Sequence, residues 1–287
     1  MLLVYQDFPP YCLVSLSKPI KIEYLKDCES VILDCGKRFA QLQLSPEEKV
    51  KLILKEYQKW IRKYLEKRSQ EYHYYDVKIV IPDDWRVDVN IKCFEMSLKI
   101  VEKEFEVKPS TMFFVVHGMT IKPYIQFLNN YLDMLRSQKL GLALPNYEMT
   151  ILCNGNQIRS YRCARATKIC AEHNVKCIKE IVSTFGKDIW IHLLGLRINV
   201  LKKLVQYEEI KYVKSIDSLA GNYASKGFLR FNLDYRVEDY IKQGKKLIGN
   251  YMITGGSFWI KMIYQEVWKD TIYEILDKRS KNLKTRK

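Results

Sequence analysis

Five apolar runs in this chain end in residues that can do chemistry: Asp34 after SVIL, Asp83 after VKIVIP, His117-Gly118 after TMFFVV, Gly195 after WIHLL, and Asp217 after YVKSI. When parallel strands share one sheet, their carboxyl ends lie together, so residues far apart in sequence meet at one mouth. Three carboxylates at that depth suit proton transfer and nucleophilic attack, with one acid ionised and another exchanging protons. The plainer account makes each strand-end Asp a cap for the following helix.

The elements that would position these residues are readable as alternating β-branched runs and amphipathic stretches, the rhythm of a parallel sheet with crossover helices. Strands are predicted at 30–34, 77–81, 111–116, 188–194 and 212–216. A further one lies at 141–144 or 149–153, and both qualify as extended. Helices are predicted from Ser45 to about Arg68, and over 89–105, 122–137, 162–185 and 198–205. Ser45-Pro46-Glu47-Glu48 supplies a cap, a proline at the first helical position and first-turn acids. Apolar residues at 50, 53, 54, 57, 61, 64 and 65 then keep helical period. Gly186 stops the 162–185 helix. Beyond Asp217 the pattern weakens until an amphipathic stretch at 257–279 carrying Trp259 and Trp268, followed by a basic tail at about 278–287 that should fray.

No solenoid-period repeat and no Gly/Ser/Pro-rich linker divides the 287 residues, and β/α barrels run to about 250 residues as one unit. The expectation is α/β, a single-domain (β/α)8 barrel of the TIM type with a short N-terminal extension and a C-terminal helix.

Lys and Arg number 48 against 33 Asp and Glu, a formal charge of +15. Such a surface attracts polyanions by releasing phosphate counterions. No apolar run reaches membrane-spanning length and the start reads as no signal peptide, so a soluble intracellular chain without a membrane partner is expected. None of the eight cysteines forms a CxxC pair. Cys163, Cys170 and Cys177 recur every seventh residue, one stripe of a helix, and read as buried thiols in preference to a zinc site with His173. No metal and no cofactor is expected. His192, inside an apolar run, reads as a core histidine or one that supports a neighbour, and Asn154-Gly155-Asn156 as a turn.

Several segments, in order, resemble the tRNA-guanine transglycosylase superfamily, in particular its DpdA-type deazaguanine-DNA branch. SVILDCGKRFAQLQ is similar to the first-strand motif in which an apolar run leads into Asp-Ser-Gly and a Phe. CLVSLSKPIKIEYLKDCESVILDCG is similar to the entry of the deazaguanine-DNA enzymes, and VKIVIPDDW to their second-strand Pro-Asp. FFVVHGMTIKPYIQFL resembles the strand ending in Gln-Gly, WIHLLGLRINVLKKL the His-x-x-Gly strand, and YVKSIDSLAGNY the Ser-x-Asp-Ser segment. The set spans about residues 12–223.

The resemblance implies base exchange in nucleic acid. Asp217 would be the nucleophile on C1′ and Asp34 the general acid/base. Asp83, His117, Gly118 and Gly195 would receive the base, with Gly155 a weaker candidate. Lys37, Arg38, Arg159, Arg162 and Arg165, on predicted loops or helix starts, are candidate phosphate contacts for DNA or tRNA. A 7-deazaguanine-type base is the implied second substrate, and a homo-oligomer is common in the superfamily. The chain departs from the pattern at Cys35, at Lys37-Arg38 and at His117, and it has no counterpart of the Cys/His zinc cluster of the tRNA-specific enzymes. Two alternatives stand beside base exchange: a nucleic-acid-binding barrel that kept the fold and lost turnover, and a β/α-barrel enzyme acting on a phosphorylated metabolite. No glycine-rich phosphate loop late in the chain favours the latter.

Overall fold

A computed structural model of the chain describes residues 3–5, 11–16, 25, 28–36, 44–67, 76–84, 86–118, 120–145, 164–196 and 198–217. Its strands are β1 (Leu3–Tyr5), β2 (Tyr11–Ser15), β3 (Ser30–Asp34), β4 (Val77–Val80), β5 (Thr111–Val115), β6 (Leu140–Pro145), β7 (Trp190–Leu194) and β8 (Val213–Asp217). They form one sheet in the order β1-β8-β7-β6-β5-β4-β3-β2, parallel at every step. The two terminal strands of that order, β1 and β2, approach each other across the remaining seam. The protein is therefore α/β, with a nearly closed, all-parallel, barrel-like sheet.

From β3 onward each strand returns through helix: α1 (Pro46–Lys67), α2 (Val87–Glu104), α3 and α4 (Lys122–Asn129, Leu132–Arg136), α5 (Ala164–Phe185), and α6 (Ile198–Leu204) with a 3-10 turn at Glu208–Tyr212. The start of α1 follows the sequence closely. Ser45 N–H donates to Glu48 Oε2 at 2.9 Å and Glu48 N–H to Ser45 Oγ at 3.3 Å, a reciprocal capping box. Val50, Ile53, Leu54, Tyr57, Ile61 and Tyr64 bury the predicted stripe. Gly186 ends α5 at φ 100°, a left-handed conformation that suits glycine.

One expectation changes and one open alternative is decided. The N-terminal stretch is not an extension: it supplies β1 beside β8 and β2 beside β3. Two runs of 3 and 5 residues are too short to show a period of their own. The fourth predicted strand is Leu140–Pro145, while 149–153 lies outside the described residues, as do Cys163, Asn154-Gly155-Asn156 and everything after Asp217, including 257–279 and the basic tail. No described helix is long and apolar enough to cross a membrane.

Strand alternation sorts the core into two layers. Val31, Leu33, Val77, Ile79, Met112, Phe114, Leu140 and Leu142 face the helices, and belong to the larger apolar cluster with Leu54, Tyr57 and Phe94. Leu13, Ile32, Val80, Phe113, Val115 and Ala143 pack inside the cylinder with Tyr11 and Trp190. Gly141 makes room there. A Cβ at this position would lie 2.5 Å from Phe113 Cε1 and 3.2 Å from Trp190 O. Gly141→Ala must push the Phe113 ring off Trp190 and His192, its neighbours at 6.0 and 5.2 Å. The expected result is a loss of about 1–3 kcal/mol, read as a lower urea midpoint at unchanged slope.

At the amino end of the cylinder, Lys78 is buried against Asp76 and Ser30 Oγ, with its ammonium 5.0 Å from the Trp190 ring. Burial pushes the ammonium below its ordinary value, against the pull of Asp76. Removing one partner of a buried pair strands the other. Asp76→Ala should therefore cost about 3–5 kcal/mol, whereas Lys78→Met, which removes the buried charge, should cost less; thermal unfolding of the two variants side by side checks the order.

Cys12 on β2 and Cys28 ahead of β3 form a disulfide, Cα–Cα 6.4 Å, within the outer layer. The 16-residue separation gave no sign of it. The bridge ties two adjacent strands together around the part-described connection 16–29. Cys170 and Cys177 are buried on α5 as the heptad spacing predicts, and Cys177 Sγ lies 3.5 Å from His173 Nε2.

Candidate active site

Asp34 is the last residue of β3 and Asp217 the last of β8. In the ring order β1 and β2 stand between these strands, and acids 183 positions apart (217 minus 34) end at the same carboxyl mouth. Asp83 follows β4, and His117-Gly118 follows β5, at the same end. The proximity shows in the electrostatics. Asp34's carboxyl is raised from 3.8 to about 7, first by loss of solvent and then by the charges of Asp83 and Asp217. Backbone N–H groups of Gly36 and Cys35 pull the other way without prevailing. Asp34 is part-open to solvent on one side, which a proton-exchanging group requires.

Asp217 has a different environment. It is almost wholly buried, and its Oδ1 accepts from Gly195 N–H at 2.8 Å and bonds His192 Nε2 at 3.0 Å. His192 Nδ1 in turn lies 2.8 Å from Ser215 Oγ, which accepts from Trp190 Nε1–H at 2.7 Å. The main chain adds Leu196 N–H to Asp217 O at 2.9 Å, locking β7 to β8 at the mouth.

An irregularity makes this cluster possible. Along β7 and β8, Ile191 pairs with Val213 but His192 pairs with Ser215, so Lys214 is an extra residue in β8. Val213 and Ile216 both belong to the outer layer. Strict alternation would send Ser215 and Asp217 outward with Val213; the bulge turns both inward beside His192.

Asp83 is held by His117, Nε2 to Oδ2 at 2.6 Å, with His117 buried and Asp83 part-exposed. The adjacent Asp84 instead accepts from the Arg86 guanidinium. Buried Asn90 on α2 fixes this turn: its side-chain amide donates to Val115 O at 2.9 Å, and its Oδ1 accepts from Asp84 N–H at 3.2 Å. Gly118 adopts φ 94° with nothing within 4 Å of a hypothetical Cβ, and Gly195 adopts φ 67°; both are exposed at the mouth. A hollow lined by Cys35, Pro46, Lys49, Pro82, Asp83 and Asp84 opens alongside.

The Cys35 thiol is no rival nucleophile. Burial and the charges of Asp34 and Asp83 push it well above its ordinary value, so it stays protonated. Among the described residues no group of three or more His, Cys, Asp or Glu is placed to hold a metal ion.

Of the predicted site residues, Asp34, Asp83, His117, Gly118, Gly195 and Asp217 come to one end of the sheet. Gly195 was expected only to admit a ligand, and it also donates to Asp217. Lys37, Arg38, Arg159 and Arg162, with Gly155, lie outside the described residues; Arg165 falls in the first turn of α5, and its side chain lies outside them too. Sequence reasoning missed Trp190, Ser215 and Asn90. Asn90 carries a faint signal, a polar residue on the apolar face of a helix; Ser215 opens the Ser-x-Asp-Ser resemblance, which gave it no role.

No protein-family model matches the chain, and no curated protein matches it significantly. What the site can do therefore rests on its geometry: one carboxylate held by two donors and one carboxyl poised near neutrality, at the same mouth of a parallel cylinder.

Proposed function

We propose that this chain is a base-exchanging transglycosylase on a (β/α)8 barrel, replacing guanine with a 7-deazaguanine in nucleic acid, DNA in preference to tRNA. The observation that carries the reading is the pairing of unlike acids: Asp34 raised to about 7 beside a buried, doubly bonded Asp217. Asp217 attacks C1′ of the target nucleotide, and the glycosidic bond breaks as the new C1′–O bond forms. Asp34 gives its proton to the departing base. The incoming base returns a proton to Asp34, its ring nitrogen attacks C1′, and the ester bond breaks to free Asp217. Two carboxyls in unlike surroundings suit such double displacement.

Asp83, steadied by His117, supplies an acceptor for the N–H groups of the base, and Gly118 and Gly195 are exposed beside it at the mouth. The chain's +15 charge suits a polyanionic substrate, whose target base must leave its stack at a cost of a few kcal/mol.

The test is to incubate the intact protein with labelled guanine, or a labelled 7-deazaguanine, and either DNA or tRNA. Incorporation into one polymer supports the reading and names the substrate. Salt-sensitive binding without incorporation into either would instead make the protein a binding barrel of the same architecture.

A further inference from the structure

Proton positions beneath Asp217 follow from which atoms can only donate. An indole Nε1–H has no acceptor lone pair, so the contact at 2.7 Å is Trp190 donating to Ser215 Oγ. The hydroxyl proton of Ser215 then goes to its other partner, His192 Nδ1 at 2.8 Å. Because Nδ1 accepts, the proton of the neutral imidazole sits on Nε2, 3.0 Å from Asp217 Oδ1, and is donated there. A Ser215 Oγ that accepted from both the indole and Nδ1–H would leave its own buried hydroxyl proton without an acceptor among the described residues. The polarity is thus Trp190 to Ser215 to His192 to Asp217, inside the cylinder and away from water. Trp190 is itself braced, edge-on by Phe113 and across its face by Lys78.

We propose that Trp190, Ser215 and His192 are positioning residues forming a one-way hydrogen-bond chain, which fixes the imidazole as its Nε2–H tautomer and pins Asp217 by Oδ1, leaving Oδ2 to bond the sugar carbon. The second half of this statement rests on Asp217 being the nucleophile; the tautomer does not. Among the described residues, both hydrogen bonds to the Asp217 side chain fall on Oδ1, from His192 and from Gly195. Two donors on one oxygen turn the carboxylate about its axis and differentiate its oxygens. They also stabilise the charge that returns to Asp217 when the ester breaks, as preorganised donors do for a leaving oxyanion. His192 transfers no proton in this scheme: it holds one.

The experiment is 15N NMR of histidine-labelled full-length protein, with His192→Gln used to assign one of its four histidines. At pH 7.5 His192 is expected to show a protonated Nε2 and an unprotonated Nδ1. Ser215→Ala should mix the two tautomers and lower kcat of exchange about tenfold or more, with KM for nucleic acid unchanged. Ser215→Thr, which keeps the hydroxyl, should restore both. Trp190→Phe is expected to shift the tautomer balance in the same direction and covers the case in which Ser215→Ala does not fold. A wild-type ring protonated on Nδ1 overturns the chain, as does a tautomer indifferent to both substitutions. If the tautomer is as expected while the intact protein exchanges no base, the transglycosylase reading fails and the chain stands.

Discussion

Asp217→Ala is expected to reduce base exchange by a factor on the order of 10⁴ or more, with nucleic-acid affinity changed by less than about threefold. Removing a covalent nucleophile costs this much because no other group can form the intermediate. The neighbourhood offers no substitute: Cys35 is held as a thiol, and Asp83 is tied to His117. Asp217→Asn separates charge from shape. An amide oxygen can still accept from Gly195 N–H and His192 Nε2–H, so the cluster should survive while the nucleophile is lost. The direct measurement is capture: denaturing a reaction of the intact protein with polymer but no incoming base should yield a covalent adduct, absent in both variants. An Asp217→Ala protein that keeps even a tenth of the wild-type rate would remove this residue from the chemistry.

The second large effect concerns Asp34, where activity and stability should move in opposite directions. Its carboxyl is at about 7 in the folded protein against 3.8 ordinarily. Between those values the folded state holds a proton that the unfolded chain has released. Unfolding stability therefore falls as pH rises through that window, and is highest below it. The full shift corresponds to at most about 4 kcal/mol by pH 8, less whatever the solvent on its open side recovers. Asp34→Asn removes that cost. The variant should be more stable than the parent by a few kcal/mol at pH 8, little different at pH 4, and flatter between. Urea titrations at four pH values read this directly.

The same change should lower exchange by about 10²–10⁴-fold, because an amide cannot shuttle the proton of the departing base. Stability gained at the cost of turnover marks a group retained for chemistry. A helix cap would behave oppositely, since replacing it costs stability. If Asp34→Asn proves less stable than the parent at pH 8, Asp34 is a structural acid.

These two acids show how far the sequence reaches. Asp34 and Asp217 were visible because each ends an apolar run, and so were Asp83 and His117-Gly118, which follow such runs. Strand identity depends on the residues within the strand. The same holds for α1, whose cap and buried stripe are written into Ser45, Glu48 and every third or fourth residue after them. The break of 122–137 into α3 and α4 was not foreseen, nor was the disulfide between Cys12 and Cys28.

Local pattern alone thus determined the alternation of strand and helix, the parallel rhythm and the acids at the strand ends. Which strands complete the cylinder was decided in three dimensions, because β1 and β2 gain their identity from the neighbours they pair with, β8 and β3. So was the face of Asp217. The sequence VKSID, taken with a period of two, puts Val213, Ser215 and Asp217 on one side. Only the extra residue opposite Ile191 and His192 turns the last two inward. A bulge arises from the mismatch between two paired strands, so neither strand can announce it by itself.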